Sequence, residues 1–309
     1  MLKDYIKGIE AANIELHSVS VMTGGKLAAE HFWLGDRDTP HVMHSATKGV
    51  MVLAVGLAIE EGKLGLDERV VDIFPELVPK AHAPQLERLR VRHLLDMTAG
   101  HERVFMSGSQ RGDIEDPLWA RYYMKQPFAR EPGEKFLYDS SNSYLLGYAV
   151  AKRTGQDLAE YLRPRVLEPL GIIDPPWQKD PMGFALGCAG LYLSPDRMLK
   201  IGELYRNKGS WRGTQLVPAS WIEECSRFHS DNSEHTVPKP YTACRSGYGY
   251  QLWMCENGAY RADGIKAQLI IVWPEKDTVI VTTGGCSVER YEAQTVMDLA
   301  WEHLDPERL

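Results

Sequence analysis

The strand-like segments of this sequence lie at its two ends, and this distribution most constrains the fold. Residues 16–22 and 27–33 alternate apolar and polar side chains around Gly24-Gly25, which predicts a β-hairpin. Further strand-like segments follow late in the chain, at residues 248–255, 260–261, 268–273 and 278–283. After them, a helix is predicted over residues 289–303. We therefore expect an antiparallel sheet to which both ends of the chain contribute.

The middle of the chain is different, because it contains helical patterns separated by long loops. The helices are predicted at residues 91–97, 143–154, 158–166, 195–207 and 218–228. The predicted class is α/β (α+β), with the antiparallel sheet flanked by helices. We predict a sheet domain of residues 1–64 plus 236–309 and a helical insertion domain of residues 65–235. The active site is expected in the cleft between them.

Composition and charge exclude several functions for the 309-residue chain. Its net charge is −7 and no basic stretch is interleaved with aromatic residues, so nucleic acid is not an expected partner. The first ten residues predict an amphipathic helix rather than a signal peptide, and no apolar run approaches the roughly 18 residues of a membrane span. The five cysteines are widely spaced and odd in number, which favours reduced thiols. These features predict a cytoplasmic protein without membrane association.

Ser45 and Lys48 form the first candidate catalytic pair. Residues three apart share one face of a helix, so the lysine amine can reach the serine hydroxyl and activate it as a nucleophile. The apolar run at residues 50–59 predicts that a buried helix follows, whose N-terminal N–H groups would stabilise an oxyanion. By itself the pattern is weak, because about one such pair is expected by chance in a chain of this length. A serine N-cap followed by a solvated lysine is the alternative interpretation.

Tyr138 is the second candidate. It lies in a polar, turn-forming segment, residues 131–142, ahead of a helix predicted to begin near Ser143. A tyrosine beside a lysine ammonium can have a lowered pKa and can transfer protons. The alternative interpretation is a half-buried aromatic residue without a chemical role.

Five separated motifs, in order, resemble those of the serine β-lactamase and penicillin-binding-protein superfamily. They are the segments 44–50 (HSATKGV, followed by EEGKLGLD at 60–67), 91–100 (VRHLLDMTAG), 132–138 (PGEKFLY, followed by LLG at 145–147), 190–196 (GLYLSPD) and 213–218 (GTQLVP). The resemblance extends over residues 18–283. The branch it resembles most contains the class C β-lactamases with their esterase and 6-aminohexanoate-oligomer hydrolase relatives.

The resemblance implies a role for each matched residue. Ser45 would be the acylated nucleophile, and Lys48 and Tyr138 would share the work of general base and acid. The oxyanion would be bound by the backbone N–H of Ser45 and that of Ile265 on an edge strand.

Two motifs depart from the family pattern. The family's Tyr-x-Asn becomes Tyr138-Asp139-Ser140, so Ser140 takes the asparagine position and Asn142 follows two residues later. Tyr205-Arg206-Asn207 also fits the Tyr-x-Asn pattern, but we interpret it as the surface end of a helix.

The third motif, Lys-Thr-Gly or His-x-Gly in the family, is matched by Ala262-Asp263-Gly264. Gly264 allows close approach of a substrate, whereas the cation is replaced by Ala262. Asp263 would repel a substrate carboxylate by about 1 kcal/mol or more at close range, unless it faces water at the strand end.

The sequence therefore predicts a serine hydrolase that cleaves a small-molecule ester or amide through an acyl-enzyme and acts poorly on β-lactams. Neutral or amine-bearing esters and amides are the expected substrates. A D-alanyl-D-alanine peptidase and a non-catalytic binding or sensor module on the same fold are the alternatives. No cofactor is expected, and no metal, because the histidines and cysteines lack metal-ligand spacing. The natural substrate and the oligomeric state do not follow from the sequence.

Overall fold

A computed structural model of the protein describes residues 2–235, 242–289 and 291–308. The strands are β1 (Leu16–Thr23), β2 (Lys26–Phe32), β3 (His41–Val42), β4 (Tyr192–Leu193), β5 (Ser210–Trp211), β6 (Thr214–Gln215), β7 (Trp253–Met254), β8 (Tyr260–Gly264), β9 (Gln268–Trp273) and β10 (Thr278–Gly284). The helices are α1 (Leu2–Ala11), α2 (Lys48–Glu60), α3 (Val70–Ile73), α4 (Pro84–Arg88), α5 (Val91–Leu95), α6 (Trp119–Met124), α7 (Ser140–Thr154), α8 (Leu158–Leu162), α9 (Pro195–Arg206), α10 (Ala219–Cys225) and α11 (Glu292–His303). Within these ranges no helix is long and apolar enough to cross a membrane.

The main sheet joins the two ends of the chain, as predicted. Its six strands run antiparallel in the order β2-β1-β10-β9-β8-β7. The predicted hairpin is β1–β2, and Val19 of β1 lies opposite Thr282 of β10. Short two-stranded pairings, β3 with β4 and β5 with β6, lie outside this sheet. The antiparallel sheet flanked by helices confirms the predicted fold class.

The sheet is buried on both faces, which explains the nearly continuous apolar sequence of its central strands. Helices α1 and α11 cover one face, where Leu269, Ile271 and Ile280 are buried. Alternate residues of the same strands, such as Ile270 and Val279, point into the larger core on the opposite face. There they meet α9, which packs on β9 and β10.

Helix α9 belongs in sequence to the predicted insertion, residues 65–235, yet it packs against the sheet. Gly202 makes this close contact, since a Cβ there would overlap the Val279 side chain. The predicted boundary at residue 236 lies outside the described residues. The division into two domains therefore stays a prediction. Helix α9 falls within the predicted insertion by sequence but packs on the sheet.

The segment 248–255 departs from its strand prediction, because only β7 is regular strand within it. Gln251 adopts a left-handed backbone (φ 63°), and its side-chain amide donates to the carbonyls of Leu94 and Leu95. Gly249 lies so close to the Cys225 carbonyl that a Cβ would not fit. These contacts bend the chain where the sequence pattern predicts an extended strand.

Candidate active site

A 3-10 turn, His44–Thr47, carries Ser45 and leads directly into α2. Leu191 holds this turn from one side, because its carbonyl accepts from the Met43 N–H at 2.8 Å and its N–H donates to Thr47 Oγ1 at 3.3 Å. His44 has a left-handed backbone (φ 45°), which is uncommon for a residue other than glycine and costs about 1–3 kcal/mol. Ser45 therefore follows a strained residue in a turn that is fixed at both ends.

Lys48 is the first residue of α2 and is 1% exposed. Its Nζ donates to Ser45 Oγ at 2.9 Å, to Ser140 Oγ at 3.2 Å and to the Cys188 carbonyl oxygen at 3.0 Å. The predicted serine–lysine contact is thus present, with two further partners. These partners come from α7 and from the loop before β4, so three separate segments of the chain fix the amine.

This geometry suits both protonation states of the lysine. As an ammonium, Lys48 has three N–H donors for three acceptors, namely Ser45, Ser140 and Cys188. As a neutral amine it can donate to Ser140 and Cys188 and accept the proton of Ser45 through its lone pair. Lys48 can therefore exchange a proton with the serine without moving.

Tyr138 lies in the loop before α7, as predicted, with its ring centroid 5.0 Å from Lys48 Nζ. The ring packs against aromatic neighbours, with centroid distances of 4.9 Å to Trp253, 6.1 Å to Tyr248 and 6.3 Å to His235. These contacts hold the ring beside the lysine, whose ammonium lies over the ring face, and the role of Tyr138 in proton transfer stays a prediction.

Ser140 and Asn142, both predicted site residues, have different environments in the structure. Ser140 is the first residue of α7 and contacts Lys48. Asn142 is buried, accepts from the Tyr123 hydroxyl at 2.9 Å and lies against Met97. Two residues along a helix correspond to a rotation of about 200°, so these side chains point in nearly opposite directions. The side chain of Asn142 therefore contacts Tyr123 and Met97 rather than Lys48.

The end of β8 lies against the 3-10 turn His44–Thr47, which we call the serine turn. A Cβ at Gly264 would collide with the Met43 carbonyl oxygen and lie 3.2 Å from the Ala46 nitrogen. Ile265 follows at the strand end with a half-exposed side chain, and its role as an oxyanion donor stays a prediction. Ala262, which replaces the family's cation, is buried against Gly49 of α2.

Asp263 forms an ion pair that the sequence interpretation did not include. Its Oδ2 lies 2.8 Å from Nε of Arg261, a fully buried arginine on the same face of β8. Arg261 also donates to the Ala243 carbonyl at 3.1 Å and to Cys255 Sγ at 3.4 Å. The negative charge expected to face a substrate is thus balanced by a guanidinium.

Four groups that contact or adjoin the candidate site residues were not predicted from the sequence. They are the Cys188 carbonyl, Asp139, Tyr123 and Arg261. A backbone carbonyl carries no sequence signal, whereas Arg261 and Asp263 follow the two-residue period of a strand and could have been paired. In the described part of the chain no group of three or more His, Cys, Asp or Glu residues could hold a metal ion.

Gly264→Ala is expected to lower kcat/KM by about 100-fold or more and to lower Tm. The added methyl must push β8 away from the Met43 carbonyl, and small displacements of a catalytic site are costly. Gly112→Ala is the matched control, because nothing lies within 4 Å of a Cβ at Gly112. Steady-state kinetics and thermal unfolding of both variants test this. Wild-type kcat/KM in Gly264→Ala would contradict the close packing of β8 on the serine turn.

Comparison with known proteins finds one family model and several relatives. A family model described as Beta-lactamase matches residues 6–284. The chain is 24% identical to 6-aminohexanoate-dimer hydrolase of Paenarthrobacter ureafaciens over 285 residues, covering 84% of this chain and 70% of the relative. It is 29% identical to Esterase EstB of Burkholderia gladioli over 200 residues, covering 60% and 51% of the two chains.

The extent of the match differs between relatives. For methylbutanoyltransferase relatives at 30% identity, the matched region covers 44% of this chain and 38% of theirs. Among solved structures, the octameric penicillin-binding protein homologue from Pyrococcus abyssi superposes with a TM-score of 0.72 at 20% identity, over 97% of this chain and 76% of that chain. At this identity the likeness concerns the fold alone.

Proposed function

Because the chain belongs to the β-lactamase family, we propose that it is a serine hydrolase that cleaves an ester or amide through an acyl-enzyme on Ser45. The observation that carries this proposal is the 2.9 Å contact between Lys48 Nζ and Ser45 Oγ, in a site where Ser140 and Cys188 fix the lysine. The relatives named for hydrolysis of a 6-aminohexanoate dimer and for esterase activity support the same chemistry.

Acylation begins with attack of Ser45 Oγ on the substrate carbonyl carbon. The serine proton passes to the pair formed by Lys48 and Tyr138, while the carbonyl oxygen becomes an oxyanion. The backbone N–H groups of Ser45 and Ile265 stabilise that oxyanion. As the carbonyl–leaving-group bond breaks, the pair returns the proton to the departing alcohol or amine, leaving an ester on Ser45.

Deacylation repeats these steps with water as the nucleophile. Lys48 and Tyr138 accept a proton from the water as its oxygen attacks the acyl carbon. The second tetrahedral intermediate collapses, the proton returns to Ser45 Oγ, and a carboxylic acid leaves. In this scheme the chain's side chains and backbone supply the catalytic groups of both half-reactions, and water is the second substrate.

Neutral or amine-bearing esters and amides are the proposed substrates, and β-lactams are proposed to be poor ones. The pairing of Asp263 with Arg261 weakens the argument from charge repulsion. The missing cation at Ala262 supports the proposal more strongly, because no side chain at that position can donate a charge-assisted hydrogen bond to a β-lactam carboxylate.

A substrate panel tests this specificity. We expect kcat/KM for a neutral nitrophenyl ester to exceed that for nitrocefin by about 10- to 100-fold, the effect of one absent charge-assisted hydrogen bond. Nitrocefin with its carboxylate esterified is the matched control and should react as slowly as nitrocefin itself. Nitrocefin turnover equal to that of the ester would contradict the proposal. Preferential cleavage of a D-alanyl-D-alanine peptide in the same panel would favour the peptidase alternative.

A cytoplasmic location is also proposed. Cys188, Cys225, Cys255 and Cys286 are free thiols in the structure, as is typical of proteins in reducing compartments. The proposed partner is the small-molecule substrate alone.

A further inference from the structure

Asp139 is a buried carboxylate placed between two residues of the site, Tyr138 and Ser140. It is 1% exposed and forms the N-cap of α7, where its Oδ1 accepts the N–H of Ser141 at 2.9 Å. An N-cap fixes where a helix begins. Asp139 thereby determines the position of Ser140, whose hydroxyl contacts Lys48.

The second oxygen of this carboxylate, Oδ2, is buried without a hydrogen-bond partner among the described residues. The titratable groups facing Asp139 are Lys48 from α2 and Tyr123 from α6, with Tyr138 adjacent in its own loop. Burial raises the pKa of Asp139 to about 6, while the hydrogen bond from Ser141 and the charge of Lys48 oppose that rise. Burial, and secondarily Asp139, raises the pKa of Tyr123, so this phenol stays neutral.

We propose that Asp139 is a positioning residue whose ionised carboxylate fixes the start of α7 and balances the charge of Lys48, holding the lysine between Ser45 and Ser140. This inference rests on the proposed function, because it concerns the lysine that serves Ser45. A capping interaction alone would need only a neutral acceptor. The negative charge adds attraction to the Lys48 ammonium and to the positive end of α7.

The proposal predicts the direction of a pH effect. The pKa of Asp139 is raised from 3.8 to about 6, so the carboxylate becomes protonated as the pH falls through about 6. Protonation removes the negative charge that caps α7 and weakens the interaction that places Ser140 against Lys48, so activity should fall. His44, Asp96 and His235 are among the other groups that titrate near this range. Burial and Arg245 lower the pKa of His235, which packs against Tyr138, below 6.5. Burial, with Lys266 and Arg111, lowers the pKa of His44 below 6.5, and burial raises that of Asp96 to about 6.

Asp139→Asn separates the charge from the cap, because asparagine is also a good N-cap residue. With a neutral nitrophenyl ester between pH 5 and 8, we expect kcat at pH 7.5 to fall about tenfold or more with KM changed less than about twofold. The acid limb near pH 6 should disappear in this variant. Asp96→Asn is the matched control and should keep the wild-type profile, since Asp96 bonds to Thr98 away from Lys48.

An unchanged acid limb in Asp139→Asn would overturn the inference. If Asp139→Asn does not fold, the pH dependence of wild-type kcat is the test. A wild-type kcat without an inflection between pH 5 and 7 would also overturn the inference. Failure of the proposed function looks different, because wild-type protein would then show no hydrolysis that depends on Ser45.

Discussion

Ser45→Ala is expected to lower kcat for ester hydrolysis by about 10⁴-fold or more while leaving the fold unchanged. The substitution removes the attacking oxygen, and no acyl-enzyme can form without it. Lys48 keeps its bonds to Ser140 and Cys188, so the rest of the site stays in place. Initial rates with a nitrophenyl ester, together with thermal unfolding, measure the two effects separately.

Ser226→Ala is the matched control for this substitution. The Ser226 hydroxyl donates to the Ile222 carbonyl on α10 and takes no part in the site. Its kcat should lie within about twofold of wild type, as expected for a substitution outside the catalytic residues. Residual activity of Ser45→Ala above one hundredth of wild type would assign the nucleophile to another residue.

Lys48→Met is expected to lower kcat by about 10³-fold, within the range that general acid–base catalysis contributes. Methionine is unbranched like the lysine stem but can neither accept the Ser45 proton nor donate to Ser140 and Cys188. The fold should persist, because an apolar side chain is tolerated at a position that is 1% exposed. Single-turnover acylation rates and circular dichroism measure the two effects.

The exposed Lys152 provides the control, since its ion pair with Glu76 lies on the surface. Lys152→Met should keep kcat within about twofold of wild type. If Lys48→Met retained a tenth of wild-type activity or more, Tyr138 alone would suffice to deprotonate Ser45. The shared role of Lys48 and Tyr138 would then be wrong.

Much of this site could be predicted because its chemistry is encoded by local sequence. Ser45 and Lys48 are three residues apart, so helical geometry alone brings them together. The turn-forming residues before α7 predict Tyr138 as a loop residue, which the structure confirms. The alternating hairpin at one end and the apolar strands at the other predict the sheet, because burial patterns follow the two-residue period.

The remaining features depend on contacts between distant parts of the chain. The Cys188 carbonyl lies 140 residues from Lys48 in sequence, and a backbone acceptor has no residue signature. Asn142 was grouped with Ser140 by proximity in sequence, but the helix turns its side chain toward Tyr123. Asp263 was considered without Arg261, although strand alternation places both on one face. The first two of these features required the tertiary structure, whereas the pairing of Asp263 with Arg261 follows from strand alternation.

The central claim, that Ser45 is the nucleophile, is tested most directly by intact mass after incubation with a fluorophosphonate. Such a probe phosphonylates an activated serine, expelling fluoride, and the adduct remains bound. Wild-type protein is predicted to gain one adduct, located by peptide mapping to Ser45, whereas Ser45→Ala gains none. An adduct on another residue, or an unlabelled wild-type protein, would contradict the account.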